Sequence, residues 1–259
     1  MIDRILLGAG LLVCLGAPLA SAQEPTEPLE SPHWAYEGDI GPEAWGALDG
    51  AYELCSVGTQ QSPVDIDEAV VVTEDLDDLE FLYQPSTLTL VNNGHTVQAN
   101  YDAGSQLVVN GHPYDLLQVH FHTPSEHSLN GEMFDAEAHF VHRDAEGKGF
   151  LAVVGVFIRV GEENPAFTEV LANAPEEGQP EAFPELINAA QMLPADTSTY
   201  RYLGSLTTPP CSQGVRWNVL AEPITMSQEQ LGRLAELMGK NNRPLQTLGE
   251  RRLVRDTAE

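Results

Sequence analysis

Six short segments rich in β-branched and aromatic residues, separated by Asn-Gly and Gly-rich breaks, restrict the fold of this chain more than any other feature. They run Leu88 to Val91, Thr96 to Tyr101, Gln106 to Asn110, Leu116 to Phe121, Ala136 to His142 and Leu151 to Val160. Asn and Gly tolerate positive φ, so Asn93-Gly94 and Asn110-Gly111 read as turns. Helical spacing is sparse. Its clearest stretch is Ser227 to Met238, where Ser227 and Gln230 form a capping box and Leu231, Leu234 and Leu237/Met238 recur at the helical interval. A shorter helix is expected after Asn164-Pro165, with Asn164 as cap and Pro165 in the first turn. The fold class is mainly β with a few short peripheral helices. The roughly 237 residues from Gln23 onward suit one domain with one sizeable core.

The N-terminus is set aside from the fold. Arg4 precedes an apolar run from Ile5 to Leu19 and then Ala20-Ser21-Ala22, the pattern of a signal peptide over residues 1–22 cleaved after Ala22. The run is about 15 residues, short of the roughly 20 that span a bilayer, and three glycines and a proline interrupt it. The mature chain is therefore expected in the periplasm or secreted, with no membrane span. Residues 23–31, with two prolines and three glutamates, read as a flexible acidic leader, and residues 32–259 as the domain. Cys14 leaves with the peptide. Cys55 and Cys211 remain, and in an oxidising compartment the default is one bridge, closing a loop of about 157 residues and stabilising by roughly 4–5 kcal/mol; two buried free thiols are the alternative.

A net charge of −27 argues against nucleic-acid binding, because no basic cluster could neutralise phosphates. It argues equally against electrostatic steering of an anionic substrate. The acidity reads as a solvated, solubilising surface.

The chemistry lies in Gln118 to His127 (QVHFHTPSEH) and Ala136 to His142 (AEAHFVH). Alternate residues of a strand share a face, so Gln118, His120 and His122 point one way and Val119 and Phe121 the other. Glu137, His139 and Val141 likewise share a face. If the two strands pair antiparallel through the turn-rich Ser128 to Met133, a third imidazole meets the first two, and three neutral imidazoles with an open position describe a catalytic zinc site. A lone His-x-His is more often a pair of ordinary histidines. His139 with a carboxylate two residues away strengthens the metal reading, since Gln118 and Glu137 could each accept a ligand's free ring N–H.

With these segments in hand, the chain resembles the alpha-class carbonic anhydrases, in their bacterial, exported form. The matching motifs run in family order from HWAYEG and GPEAW through QSPVDI, NNGHTVQ, QVHFHTPSEH, AEAHFVH and LAVVGVFI to RYLGSLTTPPC and VRWNVL. The resemblance implies a central, twisted, mostly antiparallel sheet of about ten strands. It implies a Zn2+ cofactor on His120, His122 and His139, with Gln118 and Glu137 supporting them. Glu126 and Thr207 would orient the zinc-held oxygen, and His95 would carry protons, assisted by Tyr36, Asn93 and Gln98. Val141, Val153, Leu206 and Trp217 would line a small apolar pocket for carbon dioxide, with Thr208 facing the same cavity. The implied reaction is reversible hydration of carbon dioxide to bicarbonate and a proton, with a side activity on activated esters allowed by the same nucleophile. A homodimer is open.

Two rival readings are weaker. His120-x-His122-x3-Glu126 also fits the first motif of a cupin, where Glu126 would bind iron or manganese. No second cupin motif follows, and Ser205 to Pro210 would go unexplained. A family member that kept the fold and lost the metal is expected to have a replaced ligand histidine, and all three are present.

Overall fold

The computed structural model describes residues 33–178 and 180–256. The expected signal peptide and acidic leader lie outside the described residues. All six expected strand segments form: Ser86–Asn92, Val97–Tyr101, Gln106–Val109, His112–His122, Ala136–Asp144 and Leu151–Val160. They belong to a sheet of twelve strands, ten of which follow one linear order. The order starts at Glu181–Ile187 and passes through Ser86–Asn92, Val97–Tyr101, His112–His122, Ala136–Asp144 and Leu151–Val160. It continues through Gln213–Met226, Thr199–Ser205 and Val254–Asp256 to Val72–Thr73. Gln106–Val109 branches from His112–His122 and carries Glu80–Leu82 beside it.

Most pairings are antiparallel. Within the twelve-stranded sheet two are parallel: Leu151–Val160 with Gln213–Met226, and Val254–Asp256 with Val72–Thr73. Ser128–Leu129 and Glu132–Met133, within the expected turn region, instead form a small second sheet with Asp65–Ile66.

The period of two along the central strands sorts side chains onto two faces with different surroundings. Val119, Phe121, Ala138, Phe140, Ala152 and Val154 join the larger core, which also takes in Phe167 and Val170 of the helix Pro165–Ala172 and Leu231 and Leu234 of the helix Gln228–Met238. Burying such a side chain contributes about 1.5–3 kcal/mol each, so this face supplies most of the apolar stabilisation. Both helices begin as expected: Asn164 accepts from the Ala166 amide, and Ser227 and Gln230 close a capping box. The opposite face carries the histidines and a second apolar cluster that includes Val141, Val153 and Trp217.

A disulfide joins Cys55 to Cys211 across 156 residues of sequence. It packs with Trp45 and Tyr52 in a third cluster, against which Trp34 and Tyr36 also lie.

Candidate metal centre and active site

His120 and His139 are directly opposed across the antiparallel pair, and Glu137 faces His122 in the next register position. Three imidazoles thereby converge, each offering one nitrogen, with those nitrogens all within 4.8 Å of one another. The remaining ring nitrogens are committed. His120 Nδ1 donates to Gln118 Oε1 at 2.8 Å, His122 Nδ1 to the Asn241 carbonyl at 2.7 Å, and His139 Nε2 to Glu137 Oε1 at 2.8 Å. Each bond fixes a tautomer and leaves the opposite nitrogen with a bare lone pair aimed inward. Burial lowers the pKa of all three rings, that of His122 to about 4, so they are neutral, as ligation requires.

His122 Nε2 and Glu126 Oε2 are buried and have no hydrogen-bond partner among the described residues, although they lie 3.5 Å apart. A buried polar atom without a partner costs about 1–3 kcal/mol. Three convergent lone pairs are what a divalent cation completes, so the residues present fit a zinc ion. Other gatherings of donors are already spent. His127, Glu137 and His139 bond one another, and Asp144 is taken by His112 and by the amides of Glu146 and Lys148.

Glu137 does more than orient His139. Its Oε1 also accepts from His127 Nδ1 at 2.8 Å, and its Oε2 accepts from the amides of Glu126 and His127, both at 2.9 Å. Burial alone would raise this carboxyl, but His127 and His139 overcome that and hold it well below the usual range. His127 continues the chain, its Nε2 accepting from the Tyr202 hydroxyl at 2.7 Å, which in turn meets Ser62 Oγ at 2.7 Å.

Glu126 is fully buried, and burial pushes its carboxyl up to about 7, with His139, the Arg243 amide and the Thr207 side chain pulling it partly back. The Arg243 amide donates to its Oε1 at 2.8 Å. The Arg243 guanidinium reaches Gln61, the Ser62 carbonyl and the Cys55 carbonyl, and lies over the Trp45 ring.

The expected pocket residues form one row. Val141 pairs with Val153, and Val153 with Trp217, on adjacent strands. Leu206 packs on the same cluster, and the Trp217 ring lies 4.8 Å from that of His139. Thr207 is buried and Thr208 half-buried on the turn that leads to Cys211, whose amide donates to the Thr208 carbonyl.

His95 lies apart from the triad, half-buried on the turn after Asn92. Its ring stacks on Trp34 with centroids 3.8 Å apart, and Tyr36 meets it edge-on at 6.3 Å. Asn93 is spent on the turn itself, accepting from the amides of His95 and Thr96. Gln98 stands opposite His120 in the strand register and donates to Asn100.

Sequence reasoning missed four contributors: His127, Tyr202, the Asn241 carbonyl and the Arg243 amide. His127 stood in view within QVHFHTPSEH, one residue out of phase with the ligand pair. The two backbone groups carry no side-chain signature.

Fold and site together define a β-sheet protein with a three-imidazole candidate metal centre on one face of its sheet. The family model described as eukaryotic-type carbonic anhydrase matches residues 40–257. A carbonic anhydrase of Nostoc sp. is 39% identical over 98% of this chain and 94% of its own length. The alpha-carbonic anhydrase of Thermovibrio ammonificans, solved with the inhibitor sulfanilamide, superposes with a TM-score of 0.84 at 45% identity, covering 86% of this chain and 99% of that one. The Photobacterium profundum alpha-carbonic anhydrase gives 0.80 at 43%, over 86% of this chain and 100% of its own. This chain belongs to the alpha-carbonic anhydrase family.

Proposed function

We propose that the protein is an exported zinc enzyme that interconverts carbon dioxide and bicarbonate. The observation that carries this reading is the set of three bare imidazole nitrogens, each backed by its own hydrogen-bond acceptor, beside Glu126 and Thr207. His120, His122 and His139 would hold the ion. Zinc there supplies a Lewis acid that brings the pKa of a ligating water to about 7, a value taken from carbonic anhydrase zinc sites.

The chain's own groups do the rest. Gln118, Glu137 and the Asn241 carbonyl keep the ligand rings in one tautomer and orientation. Thr207 would donate its hydroxyl proton toward Glu126, which leaves the threonine oxygen as an acceptor facing the site. Val141, Val153, Leu206 and Trp217 offer an apolar wall that suits an uncharged, linear substrate and keeps bulk water back, with Thr208 at its edge. His95, assisted by Tyr36, Asn93 and Gln98, would pass the released proton to buffer, as an imidazole can. A side activity on activated esters would follow from the same Lewis-acid chemistry.

Residues 1–22 would direct export, and the Cys55–Cys211 disulfide supports an oxidising destination. Among the described residues no helix is long and apolar enough to cross a membrane. Stopped-flow hydration of carbon dioxide, with and without a zinc chelator, tests the reading. Activity that vanishes on chelation and returns with zinc is expected; full activity in the metal-stripped protein would sink it.

A further inference from the structure

Two loops meet at the turn that carries His95. Gly94 adopts φ +80°, and the segment after the helix Pro165–Ala172 folds over it, with the Gly178 amide donating to the Asn92 carbonyl at 3.0 Å. This docking brings the Glu177 carboxylate against Gly94, so near that a Cβ at Gly94 would lie 2.6 Å from Glu177 Oε1. Glycine suits the left-handed backbone at that position and leaves room for the carboxylate beside it.

The His95 ring meanwhile is half-buried, stacked on the Trp34 indole with centroids 3.8 Å apart. The charged or titratable groups facing it are His33 and Tyr36 from the N-terminal segment and Glu177 from the docked loop. Burial pushes the His95 pKa down and His33 pushes the same way, whereas Glu177 opposes them. A proton acceptor in this surrounding needs negative charge nearby, because a ring that resists protonation takes a proton slowly from a donor near neutrality.

We propose that Glu177 is a positioning residue for the proton-exit step, its carboxylate supplying the negative charge that keeps the buried face of His95 able to accept a proton. The inference rests on the reading of His95 as the proton carrier. Glu177 itself is exposed, so its substitution leaves the core untouched, and its influence is open to screening by salt.

The test uses the zinc-loaded enzyme. In Glu177→Gln, the titration midpoint of His95, read from its ring proton by NMR, falls. The kcat for hydration in dilute buffer falls by about two- to fivefold while kcat/KM holds, as expected when proton transfer and not chemistry is slowed. Glu177→Asp restores both readouts, Glu177→Lys moves both further in the same direction, and high salt narrows the gap between wild type and Glu177→Gln. A midpoint unmoved by Glu177→Gln overturns the inference whatever turnover does. A midpoint that moves while kcat stays fixed overturns the shuttle reading on which it rests.

Discussion

His139 donates its Nε2 proton to Glu137 Oε1 at 2.8 Å, and the same oxygen receives His127 Nδ1 at the same distance. Glu137 is thus an acceptor for four N–H groups, two from rings and two from backbone. Glu137→Gln replaces one oxygen by an amide that can only donate. Metal affinity is expected to drop about 10–100-fold, the usual cost of losing a group that supports a ligand. Competition with a chelator of known affinity measures it, and unchanged affinity would refute the role.

His139→Ala should remove metal retention and hydration activity together while the protein stays folded, since the larger core lies on the other face of the sheet. Metal content and far-UV circular dichroism report the two halves. Activity surviving in a metal-free variant contradicts the assignment.

His95→Ala leaves the three ligands and the Glu126–Thr207 pair in place, so kcat/KM should change little. The kcat should fall by roughly one to two orders of magnitude, within the range for a lost general acid–base group, and added imidazole should restore much of it. Full kcat in dilute buffer would assign proton exit to another route.

Much of this site could be read from sequence because its side chains obey the period of two: Gln118, His120 and His122 on one strand, Glu137, His139 and Val141 on the other. The strand segments were equally legible from their β-branched runs. What escaped was long-range and backbone-borne. Asn241 reaches His122 across 119 residues through a carbonyl that every residue has. The parallel pairing of Leu151–Val160 with Gln213–Met226 has no local turn to announce it. Ser128–Met133 looks like turn, yet only Asn130 and Gly131 are turn, and its two-residue strands are too short to leave a pattern.

Reduction of Cys55–Cys211 should lower the melting temperature, since the bridge constrains 156 residues of the unfolded chain, worth roughly 4–5 kcal/mol in the chain-entropy model. Thermal unfolding with and without reductant checks it. Two titratable thiols in the untreated exported protein would contradict the bridge.

Acid should destabilise the fold through His142, which is fully buried and accepts from the Tyr83 hydroxyl at 2.7 Å. Burial lowers its pKa from 6.5 to about 4. Between those values the unfolded chain binds a proton that the folded one excludes. Its contribution is therefore complete above pH 6.5 and lost as pH falls toward 4, by up to about 3 kcal/mol. His142→Gln should flatten urea-derived stability against pH over that window; an unaltered slope would show that other groups set it.

Asn241 and Arg243 have a consequence for the order in which the molecule can be completed. The chain is synthesised from its N-terminus, so all three imidazoles exist well before the carbonyl that fixes His122 and the amide that holds Glu126. A nascent chain that stops short of Asn241 owns every ligand and still lacks the carbonyl that fixes His122 and the amide that holds Glu126. Truncation before Asn241 should accordingly yield a protein with an intact His120–His122–His139 set and weakened zinc retention, placing the finishing step of the metal site about a hundred residues after its last ligand.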